Sequence, residues 1–492
     1  MRDTIRFLRG SEVVEVASVH PTETLLDYLR LSERATGTKE GCGEGDCGAC
    51  TVALGRLEEG RVVYRPVNAC IQLLGMVDGA HVVTVEDIGT PEAPHPVQAA
   101  MVSHHGSQCG FCTPGIVMSL FVAYQAGGPV SREVIEDRLA GNLCRCTGYR
   151  PIIEAATAAI TGAPADAIAL EADAIAARLE GIRSGQDLFV GTPDRFFAAP
   201  STPAALAELV ARFPEATLVA GATDVGLWVT KELKELPKII WLGRVEGLDA
   251  VTDTGAMLVI GATATFDAVQ PAMAAIDADL GELWRRIASK QVRSAGTVGG
   301  NVANGSPIGD SPPALIALGA QLELRSTAGV RIVDLEDFFI AYRKQDRRPG
   351  EFVSRLFVPK LKAGEVFRAY KISKRFDQDI SAVMAAFRFT LEDGRIVGAR
   401  LAFGGMAGTP KRASATEAAL IGVDPADSAA VAAAAAHIAT DFTPMDDHRA
   451  SAAYRRAVAE GLIIKALAEL AGAPTSTTRV RGLRHDDAPA AA

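Results

Sequence analysis

No cysteine stands before Cys42 or after Cys146, and the eight between them form two sets of four with none left over. The chain also has no apolar run near the roughly 20 residues needed to cross a bilayer. Its opening, MRDTIRFLRG, carries no apolar stretch behind its charges, so neither a membrane partner nor a secretory leader is expected, and a cytoplasmic protein is predicted. Positive charge is not in excess: 50 Lys and Arg against 59 Asp and Glu give a formal net charge of -9, which argues against nucleic acid as a partner. No Walker A sequence occurs. The one GxGxxG match, Gly43 to Gly48, is interleaved with cysteines and is not framed by a βαβ unit, so a Rossmann reading is rejected. Disulfides pairing all eight cysteines are equally poor without an export signal. What is left, 492 residues with 48% hydrophobic and 22% charged content, is a multi-domain chain long enough for three or four cores.

The first cysteine set is Cys42, Cys47, Cys50 and Cys70, in GCGEGDCGACTV and VNACIQ. Its C-x4-C-x2-C spacing with a distant fourth cysteine is the plant-type ferredoxin pattern for a [2Fe-2S] centre. A short loop that wraps thiolates around an inorganic core must turn tightly, and Gly41, Gly43, Gly45 and Gly48 allow this by removing Cβ clashes and permitting positive φ. The second set is Cys109 and Cys112 in GSQCGFCTPG with Cys144 and Cys146 in AGNLCRCTGYRP, two close pairs suited to presentation from the ends of packed helices. Structural zinc competes for either set, because C-x2-C pairs also bind zinc. It competes less well for the first, whose glycine-rich three-cysteine loop is specific, than for the second with its C-x-C half. Together the sets favour paired electron carriers. His104 and His105 are adjacent, so they would face different sides of a helix and read as surface or interface residues, not metal ligands.

TIRFLRGSEVVEVASV alternates about Gly10 and Ser11 as a hairpin, Thr22 and Thr24 cap the short helix LLDYLRL, and strand-like CTVALGRL, RVVYRPVNAC and HVVTVEDI complete a β-rich domain over 1–86. Residues 87–165 switch to a helical period in four segments, with the second cysteine set at the turns between them. Ala- and charge-rich residues 166–192 read as a partly helical linker. From 193 strands and helices alternate, and the turn Val219, Ala220, Gly221, Ala222, Thr223, Asp224, Val225 between a strand and a helix offers successive N–H groups to an anion. A second small-residue stretch, from Ser294 through Thr297, Gly300, Asn301, Asn304 and Ser306 to Asp310, suits close backbone approach by a large phosphorylated ligand, with a purely structural Gly/Asn loop as the alternative. A flavin dinucleotide in a non-Rossmann fold is preferred. An α+β domain over 365–475 and a disordered tail over 476–492 follow.

EGCGEGDCGACTV, HHGSQCGFCTPG, GNLCRCTGYRPI, AGATDVGLWVTK, GTVGGNVANGSPIGD, YRKQDRRPGEF, KISKRFDQDISAV and AFGGMAGTPKRA, in this order, closely resemble the small-subunit family of the bacterial xanthine dehydrogenases, the iron-sulfur and FAD subunits among molybdenum hydroxylases. The likeness spans nearly the whole chain. It implies a multi-domain α+β fold: a β-grasp ferredoxin-like domain (1–86), a four-helix [2Fe-2S] domain (87–165), a vanillyl-alcohol-oxidase-type FAD domain (193–364) and a C-terminal α+β flavoprotein domain (365–475). It further implies that Cys109, Cys112, Cys144 and Cys146 ligate the cluster nearer molybdenum, with Gln108 bonding the pterin across an interface. Cys42, Cys47, Cys50 and Cys70 would hold the cluster facing FAD. The FAD pyrophosphate would rest on Val219 to Val225, with Ile287 also contributing to the cofactor site. Thr297, Gly300, Asn301, Asn304, Ser306 and Asp310 would hold ribityl and phosphate, and Lys371 would approach the isoalloxazine. Tyr342 and Asp379 would shape the nicotinamide entrance; a core-packing aromatic and a solvated loop charge are their plainer alternatives.

The resemblance also implies a molybdenum-pterin cofactor in a partner large subunit, as a heterodimer paired into a heterotetramer, and no large apolar, Gly-rich extension suited to a molybdopterin domain departs from that division. The implied activity is an electron relay from that partner through two [2Fe-2S] clusters and FAD to NAD, during oxidation of hypoxanthine and xanthine. Three alternatives stay open: a small subunit acting with an aldehyde or heteroaromatic hydroxylase, a stand-alone NADH-dependent iron-sulfur flavoprotein reductase, and a zinc or iron sensing module.

Overall fold

The alternation about Gly10 produces a hairpin in which Ile5–Arg9 buries Ile5, Phe7 and Leu8 and pairs antiparallel with Glu12–Val16, Arg9 opposite Glu12. In the computed structural model, which describes residues 1–479, the chain divides into two compact units. The first is Met1–Gly247 with the returning segment Ala288–Thr297, and the second is Leu248–Ile287 with the chain from Val298 onward.

In the first unit the hairpin belongs to a five-stranded sheet ordered Glu12–Val16, Ile5–Arg9, His81–Val83, Thr51–Glu58, Arg61–Asn68. The Leu8 to His81 pairing is parallel and the other pairings are antiparallel, so the sheet is the mixed grasp expected. Thr24 caps the short helix Leu25–Asp27 by accepting the Asp27 N–H at 3.0 Å, and Leu25 and Leu26 enter the core with Phe7 and Val52. Each such buried side chain contributes about 1.5–3 kcal/mol. The four expected helices are Pro96–Ser103, Thr113–Gln125, Arg132–Leu139 and Arg150–Ala159. Thr113–Gln125 is buried from Gly115 to Tyr124 and forms the centre of this group, with Pro at its second position where no intrahelical N–H is lost.

The stretch 166–192, read from sequence as a linker, is more ordered than that. Helix Ala172–Ile182 lays Ile175, Leu179 and Ile182 against Leu8. Strand Leu188–Thr192 is paired with Arg195–Ala199 in a four-stranded sheet whose order continues Lys238–Trp241, Thr217–Val219. This sheet therefore starts at Leu188, because LFVGT and RFFAA form a hairpin that a linker reading hides.

The second unit holds a five-stranded antiparallel sheet ordered Val251–Asp253, Met257–Gly261, Phe352–Pro359, Gln321–Ser326, Gly329–Asp334. It also holds a four-stranded sheet of Glu365–Ile372, Val383–Glu392, Arg395–Gly404 and Lys411–Arg412, backed by Ala452–Leu470. The expected disordered tail is corrected at its start. Thr475–Thr478 is helical, and Arg479 pairs with Asp279 at 2.5 Å and Glu469 at 2.6 Å, since two buried carboxylates require a cation; residues 480–492 lie outside the described residues. No helix among the described residues is long and apolar enough to cross a membrane.

Candidate functional site

The first cysteine loop turns where the glycines predicted it would. Gly43, Gly45 and Gly48 have φ of 64°, 78° and 70°. Gly41 serves by close approach, since a Cβ there would lie 2.8 Å from Cys47 Sγ. These turns aim the N–H groups of Glu44, Asp46 and Cys47 at Cys42 Sγ, each at 3.4 Å. A hydrogen bond from Cys47, reinforced by these donors, brings the Cys42 thiol down to about 5, while the same bond pushes Cys47 up. Thiolate is the form that ligates iron, and these N–H groups favour it at Cys42. Cys50 and Cys70 are buried with sulfurs 3.3 Å apart, and the bond between them, then burial, holds Cys70 far above the ordinary thiol range. Asn68 braces the loop by donating to Gly45 O at 2.8 Å.

In the second set the free thiols of Cys109 and Cys146 neighbour each other, as do those of Cys112 and Cys144. Cys109 and Cys146 are exposed, as is the neighbouring Gln108. Cys109 is lowered by the Phe111 N–H and then by Cys146; Cys112 is pushed up to about 12 by burial and by its bond to Cys144. Burial alone would raise Cys144, but the Thr147 hydroxyl at 3.2 Å and nearby N–H groups bring it down. Tyr149, at φ 68°, returns its hydroxyl to the Cys144 N–H at 2.9 Å and fixes that turn.

Among the described residues no three His, Cys, Asp or Glu side chains converge on one single-ion position. The sulfurs are gathered in twos, Cys42 with Cys47, Cys50 with Cys70, Cys109 with Cys146 and Cys112 with Cys144. Two thiolates on one tetrahedral metal, at bonds of about 2.3 Å, stand about 3.8 Å apart. Two such pairs per set match a binuclear centre with two protein sulfurs on each iron, so the residues present fit the group.

The two loops touch through backbone. The Leu143 N–H donates to Cys47 O at 3.0 Å, and Gly48 lies so close to Gly141 that a Cβ on Gly48 would stand 2.1 Å from the Gly141 carbonyl oxygen. On its other side the first loop meets the expected anion turn. A Cβ on Gly226 would lie 2.7 Å from Ile71 Cβ, the residue after Cys70, and one on Gly221 would lie 2.0 Å from Ala295 O. Within that turn Val219 ends a strand, Ala222 is buried at φ 60°, and Trp241 Nε1 donates to Ala220 O at 3.0 Å. Thr223 faces Gly296, and Asp224 and Val225 open the short helix that follows. Thr297, at the end of the returning segment, is buried.

In the second unit, Gly300, Asn301, Asn304 and Ser306 are half-buried along the helix Val298–Asn304 and the turn after it. Asn301 Oδ1 accepts the Ser311 hydroxyl at 2.7 Å, and Ile287 is buried. Asp310 and Lys371 do come together: Lys371 Nζ lies 2.5 Å from Asp310 Oδ2, and Ser381 donates to Asp310 Oδ1 at 2.5 Å, all three buried. Ser381 was missed from sequence although it lies inside the quoted KISKRFDQDISAV. Arg286 was missed as well; its guanidinium stacks 4.2 Å from the Phe376 ring and donates to the Phe376 and Lys371 carbonyls. A small cavity of about 30 Å³ is lined by Asp279, Arg286, Lys371 and Arg479, among others. Tyr342 is exposed beside Arg343, so it is not a core aromatic. Asp379 accepts the N–H groups of Arg375 at 2.8 Å and Ile380 at 3.0 Å, and is a loop anchor instead of a free solvated charge.

Four domain families match in order. These are the 2Fe-2S iron-sulfur cluster binding domain over 9–72, the [2Fe-2S] binding domain over 84–157, the FAD binding domain in molybdopterin dehydrogenase over 193–361 and the CO dehydrogenase flavoprotein C-terminal domain over 368–470. The chain is 32% identical over 490 residues to the xanthine dehydrogenase of Blastobotrys adeninivorans, covering 80% of this chain and 35% of that protein. It is 34% identical over 456 residues to the xanthine dehydrogenase/oxidase of Rattus norvegicus, covering 82% and 34%. The chain thus spans about a third of the length of these relatives. Among solved structures it resembles a Cu,Mo-CO dehydrogenase chain, with TM-score 0.52, 27% identity and coverage of 55% of this chain and 94% of that one. It also resembles quinoline 2-oxidoreductase from Pseudomonas putida 86, with TM-score 0.52, 25% identity and coverage of 57% and 98%.

Proposed function

We propose, from the premise that the chain belongs to the small-subunit family of the molybdenum hydroxylases, that it is the electron-transfer subunit of a xanthine dehydrogenase. Its partner is a large subunit holding the molybdenum-pterin cofactor, the pair assembling into a heterotetramer, and its final acceptor is NAD. When bound, the [2Fe-2S] clusters supply one-electron steps and FAD joins them to the two-electron chemistry of NAD.

The chain's own residues do the positioning. Cys109, Cys112, Cys144 and Cys146 hold the cluster at the exposed end, where Gln108 reaches a pterin of the partner. Cys42, Cys47, Cys50 and Cys70 hold the second, with the Glu44, Asp46 and Cys47 N–H groups steadying the Cys42 thiolate and burial of Cys50 and Cys70 excluding water. Val219 to Val225 receive the FAD pyrophosphate, and Ile287, Thr297, Gly300, Asn301, Asn304 and Ser306 contact the rest of the dinucleotide. Asp310 and Ser381 fix Lys371 where its ammonium meets the flavin ring, while Tyr342 and Asp379 border the nicotinamide entrance. The observation that supports passage between the two centres is the Leu143 N–H bonded to Cys47 O, which brings the two cysteine loops into backbone contact.

Purification with its partner tests the reading. Four iron, four acid-labile sulfide and one FAD per chain, with xanthine-dependent NAD reduction, are expected. A partner-free chain carrying zinc at its thiolates ends it. The structural likeness to CO dehydrogenase and quinoline 2-oxidoreductase favours a second reading, a small subunit serving another molybdenum hydroxylase. Under it, the same metal counts would accompany turnover of an aldehyde or heteroaromatic substrate and none of xanthine.

A further inference from the structure

We infer that Gln291 is a positioning residue for electron passage between the two cysteine sets, an inference that rests on the cluster assignment proposed above. Gln291 is fully buried on the helix Lys290–Ala295, in the segment that returns to the first unit late in the chain. Its Nε2 donates to Asn142 Oδ1 at 2.9 Å and Thr51 Oγ1 at 3.0 Å, with Ser119 Oγ at 3.3 Å. Asn142 Nδ2 donates to Gly48 O at 3.1 Å and to Thr51 Oγ1 at 3.3 Å, the Thr51 hydroxyl donates to Gly48 O at 2.7 Å, and Ser119 donates to Asn142 Oδ1 at 2.6 Å. Both amide groups thus spend their donors inside one closed network, and that network ends on Gly48, between Cys47 and Cys50, and on Asn142, two residues before Cys144.

The other end of Gln291 argues that packing alone does not explain it. Its Oε1 is buried without a hydrogen-bond donor and lies against Gly141, where at φ 137° a Cβ would stand 1.9 Å from it. An orphaned buried acceptor is destabilising, and a leucine would fill the space without it. The donated bonds to both cysteine loops offset that cost. The same helix ends at Ala295, one turn on, whose carbonyl packs on Gly221. One short helix therefore braces the junction of the cysteine loops at its start and the anion turn at its end. Electron passage falls steeply with distance, so holding Leu143 on Cys47 O is a functional act.

The test uses the full-length chain with its clusters loaded, comparing wild type, Gln291→Leu and Leu206→Ala, a core truncation on the helix Pro203–Arg212 of the same unit. Loss of Gln291's donors is expected to speed hydrogen exchange at the Leu143 amide roughly ten- to hundredfold. It should also change the magnetic splitting between the two reduced clusters in electron paramagnetic resonance, at unchanged iron content. Leu206→Ala should do neither. Should Gln291→Leu not accumulate folded, Ser119→Ala, which removes the hydroxyl facing both amides, is read the same way. Wild-type iron at four per chain with splitting and Leu143 exchange indifferent to the variants overturns the inference alone. A wild-type chain without iron overturns the cluster assignment instead, and the exchange rates then still judge the bracing.

Discussion

Gly48 and Gly60 offer a matched pair in which backbone conformation is constant and surroundings differ. Both are left-handed, at φ 70° and 78°. A Cβ on Gly60 meets nothing within 4 Å, whereas one on Gly48 would lie 2.1 Å from Gly141 O, 2.6 Å from Asn142 Nδ2 and 2.9 Å from Asn142 Cα. Alanine at either site pays a left-handed penalty of about 1–2 kcal/mol, and this cancels in the comparison. What remains at Gly48 is overpacking of about 1–3 kcal/mol, toward the upper end because two of the three obstructing atoms are backbone, plus about 1 kcal/mol for the Asn142 to Gly48 bond it displaces. Gly48→Ala should therefore be less stable than Gly60→Ala by about 2–4 kcal/mol, a gap of roughly 5–15 °C in apparent Tm for a unit of this size. Calorimetry with iron counting reads both variants. Gly48→Ala should also hold less iron, because the clash pries apart the loops of both cysteine sets. Melting within about 2 °C of each other at equal iron, well short of that gap, would refute the claim that the loops are packed backbone to backbone.

Three further outcomes are expected. Asp310→Ala leaves the Lys371 ammonium buried without its carboxylate, at a cost of about 3–5 kcal/mol, and should release FAD; Asp310→Asn, which keeps an acceptor for Ser381, should lose less of both by thermal scan and flavin absorbance. Burial holds His81 down to about 4, below its unfolded value of about 6.5, so the folded state resists its protonation. The cost is absent above pH about 6.5 and grows as pH falls toward 4, to about 3 kcal/mol at most; the stability difference between wild type and His81→Gln should flatten above that window, and a constant difference across pH 4–7 would contradict it. Cys109→Ser should abolish partner-to-NAD electron flow while sparing NADH oxidation by dyes at the flavin; equal loss of both in a folded, FAD-replete variant would count against the proposed order of the centres.

Cysteine spacing and the glycines of the first loop made the paired metal chemistry legible, because ligand loops and tight turns are written in adjacent residues. The order of strands and helices was legible for the same reason: Thr24 does cap its helix, and the second cysteine set does fall between helices. What stayed hidden depends on partners far away in sequence. Gln291 finds Asn142 across 149 positions, Ser381 finds Asp310 across 71, and neither carries a local signature. The strand Leu188–Thr192 was absorbed into a linker because its hairpin partner had been assigned to the next region. The docked Arg479 was lost for a different reason: a terminal Thr-rich stretch reads as solvated until the carboxylates awaiting it are seen.

The return of Ala288–Thr297 to the first unit orders events at birth. A ribosome that has released residue 247 must still add the 50 residues to 297 (297 − 247) before the helix bearing Gln291 exists. At about 5–20 residues per second, that interval is roughly 3–10 s. Throughout it the nascent cysteine loops lack the Gln291 bonds to Thr51, Ser119 and Asn142 that tie them together in the finished chain.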